Sequence, residues 1–222
     1  MIEFKIMKTN KKILKHILSL SCFLLILSLF TYFGLVDTAF AIDDPLTVTL
    51  NVTSGIAISS PSDVLMSRNL TLANMTAIGT STWTVTTNNV TGYNLTIKAT
   101  SSPAMISTVG SSSVANYQTG APNTWSVTAG TAAFGFSVFG PDTPTATWGT
   151  GALCSGTPDQ PSTSLKYMGF TTTTSTPVLA NRSTTTPFAG IATTVCFAVE
   201  QDSFFIPTGT YTATIVATAV TI

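Results

Sequence analysis

The sequence predicts an all-β protein: an antiparallel β-sandwich of the Greek-key, immunoglobulin-like or pilin-like kind, preceded by an N-terminal signal-peptide helix. Three observations predict this class. Threonine alternates with apolar residues along many short runs, glycine, proline and asparagine separate those runs, and no window after residue 41 repeats apolar residues at helical spacing. Period-two alternation is typical of strands that bury one face. Without helices to join parallel strands, antiparallel pairing is expected.

The first element is an export leader at residues 1–41. Five lysines and the single histidine precede an apolar run at 17–36, and the small residues Ala39 and Ala41 follow that run. This order is that of a signal peptide, and we predict cleavage between Ala41 and Ile42. Because about 20 apolar residues also match a bilayer span, an uncleaved membrane anchor is the alternative. Both interpretations place the remaining chain outside the cytoplasmic membrane, secreted or at the cell surface.

Residues 42–222 are expected to form a single β-sandwich domain. Alternation of threonine with apolar residues appears at 46–53, returns at 82–87 and returns again at 93–100. Each run predicts a half-buried strand. Further strands are predicted at 56–60, 69–75, 124–128, 132–139, 165–170, 176–181, 193–200 and 209–222.

Two of these strands are predicted to form a hairpin. The five residues 88–92, Asn-Asn-Val-Thr-Gly, separate the runs and include turn formers that accept a positive φ. In the second strand, parity places Leu95 and Ile97 on the buried face and Lys98 on the solvent face.

The segments 101–123 and 140–164 are long and rich in serine, threonine, glycine and proline. They are predicted to be loops or a small subsheet.

The distribution of charge excludes several classes of function. After residue 41 the chain has four cations, seven acids and no histidine, which gives a net charge of −3. Without a basic patch, nucleic-acid binding is not expected. Without histidine or paired carboxylates, neither a metal, a cofactor nor catalysis is expected, and we predict a protein that is not an enzyme.

Cys154 and Cys196 are the only cysteines after the leader. In an oxidising compartment they are predicted to form a disulfide, which joins the 140–164 segment to the strand at 193–200. Separate thiols and a disulfide between chains are the alternatives.

Three tryptophans follow the leader, and they are assigned different environments. Trp83 lies on the apolar parity of its strand and is predicted to be in the core. Trp125 and Trp148 lie near loops, and with Tyr117 they could stack on a sugar ring. These aromatics support a carbohydrate-binding adhesin module, with glycans as partners, as the alternative function.

The low number of charged residues after residue 41 is the basis of the leading hypothesis for function. Soluble sheets protect their open edges with lysine, proline or bulges, whereas this chain has only two lysines after residue 41. An unprotected edge is a template for strand addition. We therefore expect a structural or interaction module that associates with itself or with envelope components, and that meets a membrane only through an uncleaved leader.

Two segments carry a resemblance to known proteins. Residues 82–97 resemble the strand, Asn-Asn-x-x-Gly-Tyr, strand arrangement of surface proteins predicted in small-genome bacteria. Residues 207–215 are similar to the Pro-x-Gly-x-Tyr final strand of spore-coat and fimbrial subunits. The resemblance implies a secreted bacterial β-sandwich with a structural role in the envelope and no catalytic residues. The final strand is present here, which argues against the donor-strand exchange of chaperone-assembled pilins.

Overall fold

A computed structural model describes residues 3–33, 46–118, 120–172 and 177–222. The chain divides into two units, Met1–Asn51 and Val52–Ile222. In the first unit, helix α1 (Glu3–Phe33) contains the lysine-rich start and most of the apolar run. Among the described helices, none has both the length and the apolar composition of a membrane span. The predicted cleavage residues Ala39, Ala41 and Ile42 lie outside the described residues.

The second unit is rich in strands, which confirms the all-β prediction at that level. The one helix among its described residues is a single turn, α2 (Thr145–Trp148). The strands are, in chain order, β1 (Ile56–Ile58), β2 (Thr76–Thr87), β3 (Tyr93–Ala99), β4 (Met105–Ser107), β5 (Ser113–Asn116), β6 (Thr131–Phe139), β7 (Ser155–Thr157), β8 (Gln160–Pro161), β9 (Ala180–Arg182), β10 (Ile191–Asp202), β11 (Tyr211–Thr212) and β12 (Ile215–Thr221).

The described strands form three sheets. The largest has the order β1-β2-β10-β6-β5-β4-β11, the second has the order β12-β3-β9, and β7 and β8 form a two-stranded sheet. All pairs are antiparallel except the short pair of β5 with β6. The long strands β2, β10 and β6 lie side by side in the largest sheet. Antiparallel pairing is therefore confirmed for all pairs but one.

The core contains side chains from the two larger sheets. Trp83 and Val85 of β2 belong to the same buried cluster as Leu95 and Ile97 of β3. Along both strands, buried side chains alternate with more exposed ones, as the parity predicts. Lys98 lies on the opposite face from Leu95 and Ile97 and is only half-buried. The predicted inward faces of these strands are thus confirmed.

The predicted hairpin is wrong, although both of its strands form. β2 pairs with β1 and β10, whereas β3 pairs with β12 and β9, so the turn at 88–92 connects two different sheets. Gly92 has a φ of 82°, and a Cβ there would overlap the backbone carbonyl of Arg182. The glycine therefore allows a close approach to β9, and the chain crosses to the second sheet.

Four other predicted strands are not assigned as strands. Residues 46–53 are one of them, and their side chains are described below. Within 69–75, Thr71 closes a turn by accepting hydrogen bonds from the amides of Ala73 and Asn74. Residues 124–128 have no assigned secondary structure.

The fourth of these segments, 165–170, has a different geometry. It makes single bridges to three separate partners. A segment that is buried on several sides has apolar residues at consecutive positions. Such a segment can be buried without pairing continuously with one neighbouring strand.

The two segments predicted to be loops or a subsheet contain short regular elements. Residues 101–123 supply β4 and β5, which extend the edge of the largest sheet. Residues 140–164 contain α2 and the pair formed by β7 and β8.

Candidate interaction surface

The predicted disulfide between Cys154 and Cys196 is confirmed. The two Cα atoms are 5.2 Å apart, and the two residues are separated by 42 positions. Both are buried, and Cys196 lies in β10, the strand between β2 and β6. Cross-linking a loop of this length stabilises the folded chain by about 4 kcal/mol in the chain-entropy model. A buried disulfide is consistent with a location outside the cytoplasm.

The predicted sugar-stacking aromatics do not form an open platform. Tyr117 is 7% exposed and stacks on Trp125, with ring centroids 4.5 Å apart. The Trp125 indole also packs edge-on against Tyr167, and its Nε1 donates a hydrogen bond to Glu200 Oε2 at 2.5 Å. Burial raises the pKa of Tyr167 to about 12. These rings fill a second buried cluster next to the disulfide.

Trp148 is fully buried, so it does not supply the loop-face aromatic that the alternative function requires. Its indole packs 5.4 Å from the ring of Phe136, and its Nε1 donates to the carbonyl of Val178. The residue lies at the end of α2, and its side chain is in the core. With Trp148 and Tyr117 buried, the carbohydrate-binding alternative loses two of the three residues on which it depended.

A partly buried ion pair between Asp142 and Arg182 forms a structural clamp. The Asp142 carboxylate accepts hydrogen bonds from Tyr93 Oη at 2.9 Å and from Arg182 Nη1 at 3.1 Å. Burial, followed by this hydrogen bond, raises the pKa of Tyr93 well above its usual range. The clamp joins the start of β3 and the end of β9 to the segment after β6. In the described part of the chain, no three histidine, cysteine or acidic side chains lie together as a metal site would require.

The outer edge of β12 belongs to the longest outer strand of the described sheets. β12 has seven residues and pairs only with β3 in these sheets, although β1 lies close to it. The other outer strands, β1, β7, β8, β9 and β11, have three residues or fewer. Residues 209–222 contain no charged residue, and Val216 and Val220 of β12 are 38% and 50% exposed. Uncharged segments of this kind, rich in β-branched residues, are prone to pair with further strands.

A groove of about 690 Å³ lies beside this edge. Ile215 and Ala217 of β12 line one side, and the segment 58–64 lines another. The innermost lining residues, each less than 10% exposed, are Trp83, Met105, Phe134 and Phe197. The remaining lining residues include several serines and threonines and one acid, Asp63. The groove therefore offers apolar contacts at depth and polar groups at its rim.

Residues 46–52 carry the most exposed row of apolar side chains that the described part of the chain offers outside the leader helix. Leu46, Val48, Leu50 and Val52 are between 75% and 87% exposed. Their alternation with Thr47, Thr49 and Asn51 predicts a strand with one buried face, whereas the structure assigns no strand here. The strand predicted at 46–53 is therefore not confirmed.

Comparisons with known proteins add no family. No family model matches the chain, and neither a curated protein nor a solved structure matches it. The groove was not predicted from the sequence, because its lining residues come from segments far apart along the chain. The only sequence signal for the β12 edge was its lack of charge.

Proposed function

We propose that this protein is an exported β-sandwich subunit of the bacterial cell surface, which associates with copies of itself through an exposed strand edge. The role is structural, and it is the role that the resemblance to spore-coat and fimbrial subunits implies.

Three observations support the sandwich and its location. Side chains of the two larger sheets share one buried cluster, which is the arrangement expected when two sheets pack face to face. The leader has the order of a signal peptide. The buried Cys154–Cys196 disulfide is consistent with an oxidising compartment.

The β12 edge is the single observation that carries the proposal. Natural sheets avoid association by placing lysine, proline or a bulge on long edges. β12 has none of these residues, and its outward side chains Val216, Thr218 and Val220 are uncharged. The inward residues Ile215, Ala217 and Ala219 pack on the core but remain only partly buried. An added strand would cover this face and pair with the free backbone groups.

Sedimentation of the exported form of the full chain tests the proposal. We expect species larger than the monomer, in a fraction that increases with protein concentration. Thr218→Lys places a charge on the outward face of the edge and should weaken association by about tenfold, which corresponds to about 1.4 kcal/mol.

Thr96→Lys is the matched control for this variant. Thr96 is the direct partner of Thr218 on β3, so the same charge is introduced one strand away from the edge. This variant should associate nearly as well as the unmodified chain. A chain that stays monomeric at high concentration would exclude the proposed function.

A further inference from the structure

We infer that the groove beside β12 binds a long apolar molecule with an ammonium group at one end and a hydrogen-bonding group, such as a hydroxyl, at the other. Asp63 binds the ammonium group and Ser81 binds the hydrogen-bonding group, while the apolar chain lies over Trp83 and Phe197. This inference goes beyond the proposed function, because ligand binding requires only one copy of the chain.

The first wall of the groove is the segment 60–66 of the second unit. The segment is fixed to β2 on both sides, because the amide of Ser59 donates to the carbonyl of Thr84 and the amide of Ser67 donates to the carbonyl of Ile78. Between these two hydrogen bonds the segment has no strand pairing with β2, and most of its residues line the groove. The wall is therefore held in place while its side chains remain available to a ligand.

The opposite wall and the floor are held by strand pairing. Tyr211 pairs with β4, whereas Ile215 and Ala217 pair with β3. On the floor, the rings of Phe134 and Phe197 stack with their centroids 6.4 Å apart. The groove thus needs no rearrangement to form, and its volume of about 690 Å³ is in the range of small-molecule sites.

One polar side chain lies among the buried residues of the floor. Ser81 is 8% exposed, lines the groove and lies on the same face of β2 as Trp83. Its hydroxyl has no hydrogen-bond partner in the part of the chain that the structure describes. Because a buried hydroxyl without a partner is unfavourable, a ligand that supplies a hydrogen-bonding group at this depth is stabilised.

The charge of the lining determines the other end of the ligand. Asp63 is the one charged residue among the described residues that line the groove. The ion pairs of the described chain join Arg68 to Asp159 and Arg182 to Asp142, so Asp63 has no cationic partner there. A carboxylate beside aromatic rings attracts an ammonium group and repels a carboxylate or a phosphate.

Three probes with the same dodecyl chain test the inference: ω-aminododecanol, dodecylamine and ω-hydroxydodecanoate. Their binding to the exported form is measured by isothermal titration calorimetry, at a protein concentration at which sedimentation shows a monomer. We expect ω-aminododecanol to bind most tightly. Dodecylamine lacks the hydroxyl and should bind about threefold to tenfold less tightly. The carboxylate of ω-hydroxydodecanoate replaces the ammonium group, and this probe should bind at least about tenfold less tightly.

Single substitutions show whether binding occurs in this groove. Asp63→Asn should weaken the binding of ω-aminododecanol about threefold and reduce its preference over ω-hydroxydodecanoate. Ser81→Ala should make ω-aminododecanol and dodecylamine bind equally, with an unchanged circular-dichroism spectrum.

The matched controls are Asp202→Asn and Ser137→Ala, which should change each affinity less than about twofold. Neither residue lines the groove, and Ser137 is a buried serine without a hydrogen-bond partner, as Ser81 is.

Three results would overturn the inference. They are the absence of binding by all three probes, equal affinities for the ammonium and the carboxylate probe, and binding that neither Asp63→Asn nor Ser81→Ala changes. None of these results bears on self-association, which sedimentation tests without any ligand. The inference and the proposed function can therefore fail separately.

Discussion

Two segments of this protein have the same period-two alternation and opposite environments. In β3, Leu95 and Ile97 are buried between neighbouring strands, whereas Leu50 and Val52 are 83% and 75% exposed. The sequence alone does not distinguish them, because both alternate apolar side chains with threonine or asparagine. Alternation therefore specifies a face to be buried, but it does not specify the partner that buries it.

The largest expected effect compares one leucine from each segment. Leu95→Ala should lower the free energy of unfolding by about 3 to 5 kcal/mol, because it leaves a cavity in a fully buried position. Leu50→Ala in dilute, monomeric protein should change it by less than about 0.5 kcal/mol. Urea unfolding of the oxidised protein measures both. Equal losses would show that residues 46–52 are already packed within the monomer.

An intermediate effect is expected at the clamp that holds the start of β3. Asp142→Ala leaves the hydroxyl of Tyr93 and the guanidinium of Arg182 without their shared acceptor, and it should cost about 2 kcal/mol. The control is Asp159→Asn, which breaks a more exposed ion pair with Arg68 but keeps a side chain that suits the φ of 60° at this position, and it should cost less than about 1 kcal/mol. Denaturant midpoints with an unchanged slope would check the ranking. A larger loss for the control would contradict the structural role given to Asp142.

The smallest expected effect is a decrease in the free energy of unfolding at alkaline pH, caused by a tyrosine that is buried only in the folded state. The pKa of Tyr167 is raised from 10.0 to about 12, because the side chain is buried. The neutral phenol is therefore favoured in the folded state, and its stabilising contribution is complete below pH 10 and decreases as the pH rises towards 12. We expect stability to fall by about 1 to 2 kcal/mol between pH 9 and pH 11.

Tyr167→Phe provides the control for this pH dependence. The variant should lose part of the dependence, since Tyr93 also has a raised pKa and contributes to the fall. Urea midpoints for both proteins at pH 9 and pH 11 measure the difference. An identical fall in both would show that Tyr167 is ionised as easily in the folded chain as in the unfolded one.

Local features were predictable because they depend on neighbouring residues. The parity of Trp83, Leu95 and Ile97 follows from the side-chain period of a strand. The Cys154–Cys196 disulfide was predicted from the expected oxidising compartment and from the number of cysteines, since these are the only two after residue 41.

The pairing of strands and the neighbours of buried side chains were not predictable, because they depend on residues that are distant in sequence. The turn at 88–92 indicates a change of direction but not the sheet that β3 joins. β3 joins the sheet of β9, where Arg182 lies beside Gly92 although the two are ninety positions apart in sequence. The sequence places Trp148 near loops and leaves its surroundings open, whereas in the structure Phe136 and Val178 contact its indole. The groove beside β12 likewise contains side chains from many separate segments.

If the chain is exported as we propose, the ladder between β2 and β10 has a consequence for the timing of folding. It joins Thr82 to Thr194, whose hydroxyls lie 3.0 Å apart although 112 positions separate them. In a chain that crosses a membrane from its N-terminus, β2 emerges long before its central neighbour. At a synthesis rate of about 5 to 20 residues per second, the wait lasts roughly ten seconds. For that interval the newly emerged β2 would have no β10 beside it. The transport machinery, or proteins that bind nascent chains outside the membrane, would have to shield it.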